Sequence, residues 1–168
     1  MKTVLFVGAG PHQRAAIMQA RARGLRVVAV DRNPDAPGLQ VADVAEAVDF
    51  TDIGLVADVA RRHIVDGALT VSADRAVPVV AAVTEQLGLP SISTAVAHRM
   101  RNKIEMRRAL ADGGVPQPSF AAVRSLAEGR LALKAVGLPA VLKPADSGGQ
   151  RGVFRIDKIG RASCRERV

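Results

Sequence analysis

The chain has 168 residues, 48% hydrophobic and 24% charged, which gives room for about one domain of ~100–200 residues, or one compact domain with a piece of a second, and argues against a complete large enzyme. No apolar run approaches the ~20 residues that span a bilayer, and the short run after Met1-Lys2, broken at Gly8-Ala9-Gly10, lacks a signal-peptide core, so a globular, cytoplasmic protein without a membrane partner is expected. The net charge of +8 raises nucleic acid as a partner, but the basic residues are scattered among acidic ones and Trp and Tyr are absent, so none is expected; the single cysteine, Cys164, leaves no internal disulfide and no thiolate-rich metal site.

Thr3–Val7 is a continuous apolar run bounded by Gly8, the pattern of a strand buried on both faces of a parallel sheet. Ala16, Ile17 and Ala20 then recur at helical spacing up to Gly24, and Val27–Val30 forms a second apolar run ending at Asp31, so the first 30 residues read as strand, helix, strand. A polar loop over 33–40 precedes a weak strand near Ala47–Phe50, a helix over about Ile53–Arg62 capped by Thr51 or Asp52, and a buried strand at Gly67–Val71. Ala76–Leu87 reads as a helix stopped by Gly88, and Leu89–Ile92 as a short last strand. This alternation predicts a doubly wound parallel α/β sheet over residues 1–93.

From Ser93 to Leu110 the spacing is helical with a bend near Arg101-Asn102, and Gly113-Gly114 ends it before a turn at Pro116 and Pro118, so 94–115 read as linker helices. A second unit is expected over 116–158, with a strand at Ser119–Val123, a helix at Leu126–Val136 ended by Gly137, and strands at Ala140–Lys143 and Val153–Ile156 separated by a glycine-rich loop.

Two glycine clusters are candidates for chemistry. Gly8-Ala9-Gly10, between a strand and a helix, is the first half of a dinucleotide fingerprint, with Asp31 placed where an acidic residue would hold a ribose. Gln13 stands where the third glycine belongs, and the competing reading is a tight turn with Asp31 facing solvent at the sheet rim. The second cluster, Lys143-Pro144-Ala145-Asp146-Ser147-Gly148-Gly149-Gln150-Arg151-Gly152-Val153, sets a lysine at a strand end before a loop whose backbone N–H groups can approach a polyanion without interference from Cβ atoms. The lysine precedes the glycines, so this is not the Walker pattern, and an ordinary hairpin turn has the same composition. Asp146 and Asp157 are isolated carboxylates and His12, His63 and His98 lack partners at catalytic spacing, so no metal ligand and no catalytic residue is assigned.

Taken together, these stretches resemble the ATP-grasp superfamily. Asn102-Lys103-Ile104-Glu105-Met106-Arg107 followed by Gly114-Val115-Pro116-Gln117-Pro118 is similar to the context of that family's first lysine, with Asn102 in place of the usual Asp. Lys143 to Val153 is similar to its second-lysine string. Upstream, Asp31 to Pro34, Ala42-Asp43, Asp66 to Ala68 and Leu87 to Pro90 look like the Rossmann-like domain that precedes the ATP-grasp fold in carboxylase, carbamoyl-phosphate synthase and amino-acid ligase relatives.

The resemblance implies a Rossmann-like doubly wound sheet followed by the first part of an α+β ATP-grasp domain. It implies that Lys103 and Lys143 contact the phosphates of ATP and that Ser147, Gly148, Gly149 and Gly152 form the loop over them. The implied partners are ATP and a small carboxylate, which is activated as an acyl phosphate for an amine or similar nucleophile. Mg²⁺ is implied for the full-length protein through ligands in its second lobe, a homodimer is compatible with that protein, and a chain of this extent is expected to be an inactive N-terminal fragment. The rival class is an NAD(P)-dependent oxidoreductase built on Gly8, Gly10 and Asp31, which leaves Lys103, Pro116, Pro118 and the Lys143 loop unexplained. A basic binding module draws only on the charge.

The last ten residues, Ile159 to Val168, break the preceding pattern with three arginines and Cys164. Back-translated, they look like a common sequencing adapter, so 159–168 are expected to be foreign to the fold.

Overall fold

The computed structural model describes residues 1–149, 151–158 and 161–164, and it divides into two compact units, Met1–His98 and Arg99–Val168. The first unit runs β1 (Thr3–Val7), α1 (Pro11–Ala22), β2 (Arg26–Asp31), a 3-10 turn (Leu39–Val41), β3 (Val44–Ala47), α2 (Ile53–Arg62), β4 (Gly67–Leu69) and α3 (Val77–Gln86), and α4 (Thr94–Arg101) begins within it. Its sheet has the order β3-β2-β1-β4 with every neighbouring pair parallel.

Alternation along the two central strands explains the layers. Leu5, Val7, Val28 and Val30 are fully buried against Val56 and Val59 of α2 and Val83 of α3, whereas Phe6, Val27 and Ala29 are buried against Ile17 of α1 and the loop residues Ala36 and Leu39. Helices therefore cover both faces, which is why Val4–Val7 of β1 and Val27–Val30 of β2 are apolar at consecutive positions instead of every second one. This is the predicted α/β sheet with parallel strands.

Caps set the helix boundaries. Asp52 is the N-cap of α2, its carboxylate accepting the Leu55 amide at 3.1 Å, and Pro11 opens α1 where no amide partner is needed.

In the first unit three strand expectations change. The third strand lies at Val44–Ala47, upstream of the expected Ala47–Phe50, because Val48 and Phe50 pack onto the core from a loop while Val44 to Ala47 pair with β2. The fourth strand stops at Leu69, since Thr70 turns its hydroxyl back to donate to the Val7 carbonyl at 2.7 Å. Leu89–Ile92 is not a strand; the Leu89 amide donates to the Thr84 carbonyl at 2.8 Å and so finishes α3.

The second unit contains α5 (Lys103–Asp112), α6 (Leu126–Val136), β5 (Ala140–Leu142), β6 (Phe154–Lys158) and β7 (Arg161–Cys164), with an antiparallel sheet of order β5-β6-β7. The bend expected near Arg101-Asn102 is a true helix break. Asn102 caps α5, its side-chain oxygen accepting the Ile104 and Glu105 amides at 3.0 and 3.3 Å. Ser119–Val123 forms no strand and has no ladder partner among the described residues. Of the final ten residues, Arg161–Cys164 pairs with β6, and the expectation for Ile159, Gly160 and 165–168 lies outside the described residues.

Burial is uneven. Every buried apolar side chain among the described residues lies at or before Ala97, and α5 and α6 bury none. Leu126, Leu131 and Val141 are 75%, 65% and 59% exposed, so the second unit carries apolar surface that its own residues do not cover.

Candidate functional site

The two glycine clusters meet different fates. In the first unit, the Gly8-Ala9-Gly10 turn is filled by protein groups. The Ala9 amide donates to Asp31 Oδ2 at 2.8 Å, and the other carboxylate oxygen accepts the Asn33 amide at 3.0 Å. The Gly38 amide donates to the Ala9 carbonyl at 2.7 Å, drawing the 33–41 loop over the turn. Gln13, buried in α1, donates through Nε2 to the Val71 carbonyl and ties the helix start to the chain beyond β4. Asp31 thus acts as an internal acceptor that shapes the turn, a use of the carboxylate that competes with ribose binding.

In the second unit, the Lys143 loop leaves the end of β5 and returns at β6. Lys143 is exposed and its ammonium makes no hydrogen bond or ion pair with a described residue. Lys103, the first residue of α5, meets the loop twice: its amide donates to the Ala145 carbonyl at 2.8 Å, and its ammonium donates to the Ser147 carbonyl at 2.6 Å. Two candidate residues forty-four positions apart in sequence are therefore in direct contact. Gly148 is half-buried and Gly149 exposed with φ at +65°. Gly152 has φ at +69°, and a Cβ there would lie 2.9 Å from Pro144 Cγ, so only glycine lets the returning leg of the loop close onto the outgoing one.

The residues that aim Lys103 follow from local chemistry. Asn102 supplies the N-cap that starts α5 at Lys103, and its amide oxygen performs the capping that an aspartate would. Further along α5, Gln117 Nε2 donates to the Arg107 carbonyl at 2.7 Å and Arg107 Nη1 donates to Gln117 Oε1 at 3.2 Å, a reciprocal clamp holding the Pro116–Pro118 turn to the helix. Sequence reasoning did not single out this clamp or the Ala145 and Ser147 carbonyls; a main-chain acceptor leaves no trace in residue identity.

The site is an exposed loop. The better-formed surface depressions are shallow and lie elsewhere, one lined by Ala82, Glu85, Gln86 and Thr94 and one by Arg99, Glu105, Arg108, Ala109 and Asp112. Among the described residues no group of three or more His, Cys, Asp or Glu side chains is placed to hold a metal ion, and no helix is long and apolar enough to cross a membrane.

Comparison with known proteins gives a consistent neighbourhood. No family model matches the chain. A formate-dependent phosphoribosylglycinamide formyltransferase from Synechococcus sp. (strain CC9605) is 34% identical over 158 residues, covering 93% of this chain and 40% of that protein. The crystal structure of an L-amino acid ligase from Bacillus licheniformis superposes with a TM-score of 0.74 at 26% identity, over 95% of this chain and 40% of its own. An N5-carboxyaminoimidazole synthetase from Staphylococcus aureus complexed with ADP shares the fold at a TM-score of 0.79 and 17% identity, over 94% of this chain and 42% of its own. The chain spans about 40% of the length of the curated relatives it matches.

Proposed function

We propose, for a chain that belongs to the ATP-grasp superfamily, that Lys103, Lys143, Ser147, Gly148, Gly149 and Gly152 form the phosphate-holding part of an ATP site, in a protein that uses ATP to activate a small carboxylate. The observation that carries this is the double contact of Lys103 with the loop, which gathers an ammonium and a run of glycine-rich backbone at one place. Lys143, exposed at the end of β5, adds a second cation with no competing internal partner among the described residues.

Physical chemistry supports these parts for this task. A nucleotide tail carries several negative charges on oxygens that accept hydrogen bonds. Backbone N–H groups of Ser147, Gly148, Gly149 and Gly152 can offer partial positive charge to such oxygens, and glycine permits the close approach. Phosphoryl transfer needs chiefly positioning and charge neutralisation. In the proposed reaction a carboxylate oxygen attacks the γ-phosphorus, the bond from that phosphorus to the β-γ bridging oxygen breaks, and ADP leaves. The nucleophile then adds to the acyl carbon and inorganic phosphate departs. Mg²⁺, where bound, neutralises charge on the phosphates. The described residues offer it no ligand set.

The similarity to a formate-dependent enzyme supports the carboxylate class, formate being its smallest member. The dinucleotide alternative loses ground because the Asp31 carboxylate is spent on the Ala9 and Asn33 amides. The test is carboxylate-dependent ADP release by a protein carrying this chain together with the remaining length of its relatives. Release that depends on a carboxylate and collapses in Lys143→Ala supports the reading; release indifferent to Lys143 overturns it.

A further inference from the structure

We propose that the exposed face of α6 is an interaction surface for a second copy of this chain, paired antiparallel about a two-fold axis at Leu131. The helix divides cleanly along its length. Gly129, Ala132, Leu133 and Val136 are half-buried, whereas Ala127, Glu128, Leu131, Lys134 and Ala135 are exposed. At 3.6 residues per turn the exposed five stand at i−4, i−3, i, i+3 and i+4 about Leu131 and form one stripe.

That stripe reads the same in both directions except for the sign of its charge. Alanine stands four residues to either side of Leu131, and Glu128 and Lys134 stand three residues to either side. An antiparallel copy laid on this face therefore sets Leu131 against the partner's Leu131 and each Glu128 level with the partner's Lys134. One patch supplies both ion pairs, which is the isologous contact of a two-fold dimer. A parallel copy would oppose like charges instead. At the crossing of about +20° common to antiparallel helix pairs, with axes about 8–10 Å apart, the level side chains come close enough to meet beside the Leu131 contact.

Both charged groups are available for this. Glu128 Oε2 accepts the Arg124 amide at 2.8 Å and the Ser125 hydroxyl oxygen accepts the Glu128 amide at 3.2 Å. This capping box holds the carboxylate at the first turn and leaves Oε1 without a partner among the described residues. The Lys134 ammonium makes no hydrogen bond or ion pair with a described residue. Arg130 stands about 100° round the helix from Leu131 and keeps to the rim. One three-turn helix per partner makes a small interface, so the association is weak and α6 is solvated in dilute solution.

The test is sedimentation equilibrium of the 168-residue chain up to about 1 mM, as wild type, as Glu128→Lys, as Lys134→Glu and as an equal mixture of the two variants. Wild type should show a monomer–dimer equilibrium. Each variant alone opposes like charges at both pairs and should dimerise roughly tenfold more weakly or less. In the mixture, a Glu128→Lys chain facing a Lys134→Glu chain restores two opposite-charge pairs, so dimer should return to the wild-type level. A wild type that stays monomeric overturns the proposal. So do single variants that dimerise like wild type, which would place the contact on another surface, and a mixture that stays monomeric beside a dimeric wild type. Growth beyond the dimer that ignores both substitutions is unspecific apolar adhesion and overturns it too. If Glu128→Lys does not fold, since its carboxylate also serves the capping box, Leu131→Cys in a Cys164→Ser background decides. A disulfide-linked dimer on mild oxidation, absent when the cysteine is placed by Ala132→Cys on the half-buried side, supports the pairing; no linked dimer from Leu131→Cys, or equal linkage from both positions, overturns it.

Discussion

Asp31 and Ala9, twenty-two residues apart, are joined at the carboxyl end of the central strands by a 2.8 Å hydrogen bond from the Ala9 amide to Asp31 Oδ2. The acidic residue that a dinucleotide reading reserves for a ribose is, in this fold, the acceptor that seats the strand-to-helix turn. Asp31→Ala leaves the part-buried Ala9 amide without its partner, and a loss of about 1–3 kcal/mol of unfolding free energy is expected. Urea unfolding measures it; a variant as stable as wild type would show that the turn holds without this carboxylate.

Gly38 makes the most exacting close approach in the first unit. A Cβ at that position would lie 2.6 Å from the Ala9 carbonyl oxygen and 2.8 Å from Ile17 Cδ1. The backbone cannot yield as a flexible side chain would, so Gly38→Ala should cost about 1–3 kcal/mol through overpacking. Thermal unfolding checks this, with Gly24→Ala as a contrast: no atom lies within 4 Å of a Cβ there, and its cost arises from a φ of +77° alone.

Acid stability should depend on Glu46. Its carboxylate accepts from His63 Nε2 at 2.7 Å and Arg62 Nη2 at 2.9 Å, linking edge strand β3 to the end of α2. The His63 contact first, and the Arg62 contact second, hold its pKa below the ordinary glutamate value of 4.5. A carboxyl whose folded pKa lies below its unfolded one binds fewer protons when folded, so its stabilisation is complete above the unfolded value and disappears as pH falls through the folded one. Asp43, lowered first by its bond from the Val27 amide, acts on the same limb. Glu46→Gln should therefore flatten the fall in stability below about pH 4.5. At 23% side-chain exposure the effect is about 1 kcal/mol or less. A slope identical to wild type would mean the contact contributes nothing.

The two units should differ sharply in protection. Amides of Leu5–Val7 and Val27–Val30 lie in a sheet buried on both faces, whereas α6 buries no side chain and exposes Leu126 and Leu131. Hydrogen exchange should find slow amides in β1 and β2, opening only with the whole unit, and fast ones in α6. Equal protection across both would refute the contrast drawn from burial.

Legibility in the sequence tracked burial. β1 and β2 were readable because a strand covered on both faces is apolar at every position, which Thr3–Val7 and Arg26–Asp31 nearly satisfy. β3 was misplaced because its half-buried Val44-Ala45-Glu46-Ala47 is a weaker signal than Val48 and Phe50, which are apolar for packing onto the core from a loop. Leu89–Ile92 carried strand-like residues whose backbone instead completes α3. At the candidate site, Lys103 and the Lys143 loop were found by their residue types, but their contact was not, since the Ser147 acceptor is a main-chain carbonyl available to any residue.

The central claim is that the Lys143 loop, and not the Gly8–Asp31 turn, is where a nucleotide binds. Calorimetric titration of MgATP and of NAD into a protein carrying this chain together with the remaining length of its relatives, as wild type, Lys143→Ala and Asp31→Ala, addresses it directly. Removing an ammonium aimed at phosphate oxygens deletes a charge-assisted contact of about 1.5–3 kcal/mol, so Lys143→Ala should weaken ATP binding by roughly 10- to 150-fold while folded Asp31→Ala binds ATP like wild type. Loss of NAD binding in Asp31→Ala, with Lys143→Ala unaffected for either nucleotide, would contradict the account.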